Sequence, residues 1–370
     1  MAIDRRNLLV HGAVLLASTV VPLRSACSAT KLRYITAAKR GNGQFCLLVL
    51  TEDGAIEQEI ILTGRGHDIA LSPDARTAIA FARRPGNFAV VIDLLNKRPP
   101  LPLSAAAGRH FYGHGVFSPD GHLLYATEND YDAARGVLGV YDVVAGYRRI
   151  GELDTHGVGP HDILLMPDGE TLCIANGGIE THPDAGRAKL NLDTMRPSLA
   201  FIDRQTGDLK QRHELARELH HLSIRHLCID GSGAVWFGGQ WEGGPDNVPW
   251  VVGYARIDRP IVFSEAAAAT GTSLKGYIGS MAASADGAIV AASAPRSGRV
   301  VYFDAVHGDV VGERTLNDVC GVAPAHGSEI AHTSGEGYLQ IAAPLHRDGD
   351  GVLHRLSEIA FDNHMRTIRL

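Results

Sequence analysis

Histidines recur at long, regular intervals along the chain, at positions that would bring several imidazoles to one place. Three similar segments each open with Gly or Pro followed by His: Gly66–Asp74, Gly113–Gly121 and Pro160–Gly169. Arg225–Gly231 is a looser fourth copy. The first three histidines are 47 residues apart, and the fourth follows after 65. Neutral imidazole binds Fe, Cu, Zn and Ni, so a converging set of these side chains predicts a transition-metal site.

The spacing of these segments predicts a repeat fold in which many units contribute one histidine. After each histidine come an apolar run, a turn and a second apolar run. A third run then ends in Asp, as in Ala89–Asp93 and Gly139–Asp142. Four short strands per unit, separated by turn residues, are typical of a β-propeller blade. The innermost strands of the blades line a central channel, so a repeated position in them converges on one axis.

The number of units predicts an all-β, seven-bladed β-propeller. Further units begin at Ser280 and Gly321, and a seventh begins at Asp362–His364, close to the C-terminus. Only one strand, over Met365–Leu370, can follow it. The strands that this unit lacks are expected at the N-terminus, over Leu32–Ala38, Gln44–Leu50 and Glu57–Leu62. The last blade is therefore predicted to be closed by N- and C-terminal strands together, which pairs edges that would otherwise be exposed.

One face of the channel should carry the candidate site, where the first strands begin and the second strands end. The candidate metal ligands are His67, His114, His161, His226, His364 and the carboxylate of Glu128. Residues expected to orient or surround them are Asp68, Asp162, Asn129, Asn176, Asp362 and Asn363. Carboxylates among the imidazoles favour iron, and copper and zinc remain candidate cofactors. Alternatively, each histidine caps its own blade by a hydrogen bond to backbone, with no shared site.

The register of the repeats is not uniform. His67 and His161 lie six residues before the turn proline, whereas His114 lies five before it and would face the other side of an ideal strand. Gly113 and Gly115 could absorb this difference. The longer interval before the fourth histidine holds an insertion, roughly residues 179–197, which is expected to form a loop bordering the binding site.

Composition and charge exclude several classes of function. The 370 residues carry a formal charge of −6 with no basic tract, which argues against nucleic-acid binding. The sequence has no Gly-x-Ser-x-Gly or His-Glu-x-x-His motif for hydrolytic catalysis and no C-x-x-C-His motif for covalent haem attachment.

The cysteines beyond the N-terminal segment are expected to be buried thiols rather than disulfides: Cys46, Cys173, Cys228 and Cys320.

The N-terminus is interpreted as an export signal. Arg5 and Arg6 precede an apolar run, Leu8–Val21, as in twin-arginine (Tat) signal peptides. At about 14 residues the run is too short to span a bilayer comfortably. We therefore expect residues 1–29 to be a signal peptide and residues 30–370 to be a single propeller domain. The mature protein would be periplasmic, without a membrane span.

Four segments carry a resemblance to a known family: Arg109–Ser118, Tyr125–Asp130, Gly159–Asp162 and Phe361–His364. Through them the mature chain resembles an uncharacterised family of Tat-exported periplasmic β-propeller proteins. Genes of that family tend to lie beside those for imelysin-type iron-regulated proteins and dihaem-peroxidase-like proteins. The resemblance implies a periplasmic role near iron uptake, with other metal-uptake proteins as partners, and no established chemistry.

Three functions remain open from the sequence. The first and preferred one is a non-catalytic propeller that binds a transition metal, preferably iron, or a metal-bearing partner and assists metal acquisition. The second is a metal-dependent hydrolase of the lactonase type, because Pro160–Gly169 is loosely similar to propeller lactonases and a metal can activate water. The third is a metal-free platform for protein interaction. A pocket large enough for a sugar lactone would favour the hydrolase.

Overall fold

Short antiparallel strands account for nearly all regular structure in the described part of this protein. The computed structural model describes residues 31–84, 86–186, 188–266, 269–344 and 351–369. The helices whose bounds fall within these residues are four single 3₁₀ turns: Pro183–Ala185, Leu192–Thr194, Arg217–Leu219 and Pro245–Asn247. None of the described helices has the length and apolar character needed to cross a membrane. The predicted signal peptide, residues 1–29, lies outside the described residues.

The strands form seven four-stranded sheets, which are the seven predicted blades. β1–β3 are Leu32–Arg40, Phe45–Thr51 and Ile56–Ile61. Blade 1 is β4–β7: Gly66–Leu71, Thr77–Ala82, Phe88–Asp93 and Leu101–Ser104. Blade 2 is β8–β11: Arg109–Phe117, Leu123–Asp130, Arg135–Asp142 and Arg148–Asp154. Blade 3 is β12–β15: Pro160–Leu165, Thr171–Asn176, Ser198–Asp203 and Leu209–Glu214.

The remaining blades repeat this order. Blade 4 is β16–β19: Leu222–Ile229, Val235–Trp241, Val252–Arg256 and Arg259–Phe263. Blade 5 is β20–β23: Ser280–Ala283, Ile289–Ala294, Arg299–Asp304 and Val310–Thr315. Blade 6 is β24–β27: Val319–Pro324, Ile330–Ser334, Tyr338–Ala342 and Val352–Arg355. Blade 7 combines β28, Ile359–Arg369, with β1, β2 and β3 in that order.

Blade 7 joins the two ends of the chain, as predicted. β28 is its innermost strand and pairs antiparallel with β1 along nearly its whole length. It begins at Ile359, earlier than the sequence suggested, because residues 359–361 already pair with the end of β1. The buried Thr36 hydroxyl donates a hydrogen bond to the carbonyl oxygen of His364, at 2.7 Å. This bond ties the last histidine to the first strand.

The apolar core lies between adjacent blades and leaves the channel free for polar side chains. Phe81 of blade 1 packs against Phe111 of blade 2, and Trp236 of blade 4 packs against Phe303 of blade 5. The four cysteines, Cys46, Cys173, Cys228 and Cys320, are buried and free, as expected. Burial of this kind stabilises each blade through its neighbours, because a single twisted sheet cannot cover its own faces.

β-Bulges in the innermost strands direct the histidines toward the axis. In β8, pairing with β9 stops at Phe111 and resumes at Gly115, which leaves additional residues on the β8 side. Comparable shifts occur at or beside the histidine in β4, β12, β16 and β28. Gly113 has φ +113°, and a Cβ there would collide with the ring of His67. A bulge re-aims a side chain, so His114 reaches the same site despite its different spacing.

The bond between Thr36 and His364 predicts a measurable contribution of chain closure to stability. Thr36→Val keeps the shape of the side chain and leaves the buried carbonyl oxygen without this donor. We expect the free energy of unfolding, measured by urea titration, to fall by about 1–2 kcal/mol. Thr206→Val, in an exposed turn, is the control and should change stability by less than about 0.5 kcal/mol. Equal effects of the two substitutions would contradict this role for Thr36.

Candidate metal centre

Five histidines from five blades meet at the axis. His114 is central: its ring centroid lies 4.9 Å from that of His67, 5.0 Å from His161, 6.0 Å from His226 and 4.9 Å from His364. The other four surround it, with neighbouring centroids separated by 4.7–5.5 Å. All are buried except His161, which is partly exposed. The structure thus brings together every histidine that the sequence proposed as a ligand.

The nitrogen atoms of these rings are close enough to share an ion. One group comprises His67, His114 and His161, and a second comprises His114, His226 and His364. In each group the potential ligand atoms lie within 4.8 Å of one another. His114 belongs to both, and its Nε2 is 3.2 Å from Nε2 of His67. The arrangement therefore offers an imidazole-rich site centred on His114. We call the five side chains the axial histidine cluster.

The carboxylates of Asp68 and Asp162 contact the second ring nitrogen of His114, Nδ1. Nδ1 of His114 lies 2.9 Å from Asp68 and 3.0 Å from Asp162, and both carboxylates are buried. Asp162 also accepts a backbone N–H bond from Leu227 at 2.9 Å. Arg366 donates from Nε to Asp68 at 2.9 Å. The sequence placed these aspartates beside the metal ligands, and in the structure both orient His114 rather than the histidine next to them in the chain.

The carboxylates decide the charge of His114. Burial alone would lower its pKa, but the negative charges of Asp162 and Asp68 outweigh that effect and raise the pKa to about 9. The positive charges of Arg366 and His114 in turn help to hold the pKa of Asp68 well below its usual range, against the effect of burial. In the metal-free protein the central imidazole is therefore charged at neutral pH, and its charge is compensated.

The four surrounding histidines, unlike His114, are uncharged at neutral pH because their pKa values are lowered. Burial, reinforced by the charge of neighbouring histidines, lowers the pKa of His67, His161 and His226 well below 6.5. Burial also lowers the pKa of His364 to about 4, although Asp68 partly opposes it. Each of the four has one buried ring nitrogen without a hydrogen-bond partner among the described residues: Nδ1 of His67 and His226, and Nε2 of His161 and His364. Neutral rings with unpartnered nitrogens are suited to metal coordination.

Glu128 does not fit the predicted role of carboxylate ligand. Its buried carboxylate accepts hydrogen bonds from the Tyr141 hydroxyl and, at 2.8 Å, from Arg149. It packs over Gly139, where a Cβ would collide with it. The side chain thus points into blade 2, away from the channel, and it belongs to none of the candidate ligand groups. Glu128 does lie near the end of β9, as predicted, but the alternation of side chains along the strand directs its carboxylate toward Tyr141 and Arg149.

The other predicted neighbours of the site fix the ends of blades and loops. Asn129 donates to the carbonyl oxygen of Thr181, and Asn176 donates to that of Thr155. Asp362 forms ion pairs with Arg65 and Arg83, and Asn363 donates to the Tyr277 hydroxyl at 2.8 Å. None of the four is seen in hydrogen bonds to the five rings within the described part of the chain. They support the surroundings of the cluster rather than its ring orientations.

A cavity of about 100 Å³ opens over the cluster. Three of the five histidines reach it: His67, His161 and His226. Its wall also contains four cations, Arg83, Arg84, Lys189 and Arg225. Ile179, Thr181 and Lys189 come from the insertion, so that loop borders the site as predicted. These four cations were not among the predicted site residues, although Arg83 and Arg84 directly follow β5 and Arg225 precedes His226.

Comparisons with known proteins agree with this architecture. A family model described as "Protein of unknown function (DUF1513)" matches residues 60–368. Among solved structures, a chain of the Kuenenia stuttgartiensis hydrazine synthase is similar, with a TM-score of 0.58 and 14% sequence identity. The likeness covers 87% of this chain and 95% of that chain, and at this identity it shows the fold alone. No curated protein matches the sequence.

The carboxylate pair predicts a specific shift in the titration of His114. Asp162→Asn removes one of the two negative charges that stabilise the imidazolium and keeps the shape of the side chain. The pKa of His114 in the metal-free protein should then fall below its value of about 9. Histidine ring resonances followed by NMR between pH 5 and 10 would measure this. An unchanged high pKa in the variant would show that Asp162 does not determine the charge of the ring.

The cluster also predicts how the stability of the metal-free protein depends on pH. The folded-state pKa of four histidines is lowered, so their contribution is present above the unfolded value of about 6.5 and is lost as the pH falls. The raised pKa of His114 has the opposite sign: its contribution is present below about 6.5 and is lost as the pH rises toward 9. The cluster therefore favours maximal stability near pH 6.5, with the steeper fall on the acid side.

Urea unfolding at pH 5, 6.5 and 8.5 would measure this dependence. Each group contributes at most about 1.4 kcal/mol per pH unit. His364→Asn should make the loss between pH 6.5 and 5 shallower, whereas substitution of the exposed His122 by Asn should leave it unchanged. Stability that is constant from pH 6.5 to 5 would contradict the assignment of four neutral buried histidines.

Proposed function

The chain belongs to the DUF1513 family, and we propose that it binds a transition-metal ion through the axial histidine cluster. In this proposal the protein is an exported, periplasmic accessory of metal acquisition. The twin arginines at positions 5 and 6, the apolar run that follows and the resemblance described above support export and the link to metal uptake. The metal site itself is supported by the geometry of the cluster.

The observation that carries the proposal is the set of unpartnered ring nitrogens. A buried polar atom without a partner costs about 1–3 kcal/mol, and four of the five rings that meet at the axis each carry one. If the histidines only capped their blades, these nitrogens would bond to nearby backbone, and for these four atoms the described residues contain no such bond. A bound ion would satisfy several of these nitrogens together. The central His114 would present Nε2 while Asp68 and Asp162 hold Nδ1, the support that metal-binding histidines commonly have.

The ligand chemistry removes the preference for iron over copper and zinc. The sequence favoured iron because carboxylates were expected among the ligands. In the structure Asp68 and Asp162 are engaged with His114, and Glu128 with Tyr141 and Arg149. The accessible donors are therefore imidazole nitrogens, which suit copper, zinc and iron alike. We propose one of these three ions, bound on the channel axis.

The role of the remaining residues is to hold the ligands and to limit access. The aspartates fix the orientation of the central ring, and the bulges fix the directions of the other four. The insertion narrows the approach. The cavity is smaller than the roughly 300–1,000 Å³ of sites for drug-sized ligands. This size favours binding or transfer of an ion, alone or with a partner protein, over hydrolysis of a sugar lactone. A metal-free interaction platform would not explain why four buried ring nitrogens of the cluster lack hydrogen-bond partners among the described residues.

Elemental analysis of the mature protein, purified without an affinity tag, tests the proposal. We expect near-stoichiometric Fe, Cu or Zn in the wild type and its loss from His114→Ala/His161→Ala. Because that variant removes the imidazole between two buried aspartates and can fail to fold, His161→Ala/His226→Ala provides a second test that keeps His114 with Asp68 and Asp162. His122→Ala, at an exposed position, is the control and should retain the metal.

The fold of each variant is checked by circular dichroism. Metal retained by both double variants would place the ion elsewhere. No metal in the wild type, even after incubation with Fe, Cu and Zn salts, would refute the proposed site and direct attention to protein partners of the channel face.

A further inference from the structure

We propose that the cavity above the axial histidine cluster is an anion site, which binds a small oxyanion such as a carboxylate or phosphate group beside the metal. The inference deepens the proposed function, and its metal contact rests on that function. The cationic wall of the cavity stands independently of the metal, so the two ideas can be tested separately.

The charge of the cavity wall is the first observation. The wall contains Arg83, Arg84, Lys189 and Arg225, and none of the described residues lining it is Asp or Glu. The chain as a whole has a formal charge of −6, so this concentration of cations runs against its overall balance. A cleft of one sign attracts counter-ions and raises their local concentration. Anions are the ligands that such a wall would attract.

The cations are held in place by carboxylates that stand outside the cavity wall. Glu242 forms ion pairs with Lys189 and, at 3.3 Å, with Arg225. Asp362 pairs with Arg83 at 3.0 Å and also with Arg65. Two carboxylates therefore pair with three of the wall cations and with Arg65, so four positive charges share two negative ones. Nε of Arg225 is buried without a partner within the described chain, so this guanidinium retains unused donor capacity next to the histidines.

The charges beneath the cavity do not supply a counter-ion. Asp68 and Asp162 are engaged by His114 and Arg366, and neither carboxylate lines the cavity. A metal ion among neutral histidines would add further positive charge at the floor. Burying uncompensated charge is costly, and an anion that contacts both the wall and the ion would offset that cost.

Size and neutral donors restrict the class of anion. About 100 Å³ accommodates a phosphate or carboxylate group with some water, but not a nucleotide or an oligosaccharide. The Tyr112 hydroxyl, which lies 3.2 Å from Thr181 Oγ1, and Ser223 also line the cavity. Such hydroxyls bind oxyanion oxygens well, and arginine matches carboxylate and phosphate in a bidentate manner. A small anion, or the acidic end of a metal-bearing ligand, fits these properties.

Calorimetric titration of the mature full chain with inorganic phosphate, and separately with acetate, tests the anion site. Each titration is run on metal-free protein and on protein loaded with zinc. We expect phosphate to bind, and Arg225→Gln or Lys189→Gln to weaken it by about tenfold or more. Arg148→Gln removes the same charge from an exposed position of blade 2 and is the matched control. Metal content of all variants is measured in parallel and should equal that of the wild type.

The outcomes separate the two proposals. Phosphate or acetate binding that depends on Arg225 and Lys189, tighter in the zinc-loaded protein, supports the anion site beside the metal. The same dependence in a protein that takes up no metal supports the anion site and refutes the metal function. Binding that Arg148→Gln weakens as much as Arg225→Gln does, or no anion binding to either form, overturns the inference even where metal binding is intact.

Discussion

A buried, compensated charge at the centre of the ring is the interaction on which the rest of the site depends. His114 from blade 2 is held between Asp68 of blade 1 and Asp162 of blade 3. Arg366 of blade 7 binds Asp68, and a backbone N–H of blade 4 binds Asp162. One imidazole thus connects five of the seven blades. Breaking a buried pair of this kind typically costs about 3–5 kcal/mol, because the remaining charge stays uncompensated.

This constraint explains why the site is asymmetric although the fold is a repeat. Blades 5 and 6 place Ser280 and Gly321 where the other blades place histidine. The small residues allow β20 and β24 to approach their neighbours closely, and at Gly321 a Cβ would meet the backbone of β28. The histidines therefore gather toward blades 1–4 and 7, where the carboxylates and the insertion also lie. The repeated strands set the positions, and the departures from the repeat determine the chemistry.

The repeated elements of the fold could be predicted from the sequence, whereas the pairings that cross between blades could not. Histidine spacing and turn residues were enough for seven blades, the shared closing blade and the convergence of five imidazoles. The orientation of Glu128 depends on the alternation of side chains along β9, and the repeated histidine segments carry no information about that alternation. Arg366 and Asp68 are nearly the whole chain apart, and Lys189 of the insertion meets Glu242, which follows β17. Ion pairs between distant segments leave no local periodicity for a reader of the sequence to find.

The shared closing blade has a consequence for the order of events during synthesis. β1 emerges among the first strands, yet its inner partner, β28, is made last, and the same strand supplies His364 and Arg366. Until β28 has been synthesised, β1 lacks its inner partner and the cluster lacks both the His364 ring and the cation that supports Asp68. The complete five-histidine site and a closed ring are therefore reached at the same moment. A chain that terminates before β28 would lack both, so only a chain translated through β28 can present all five histidines at the axis.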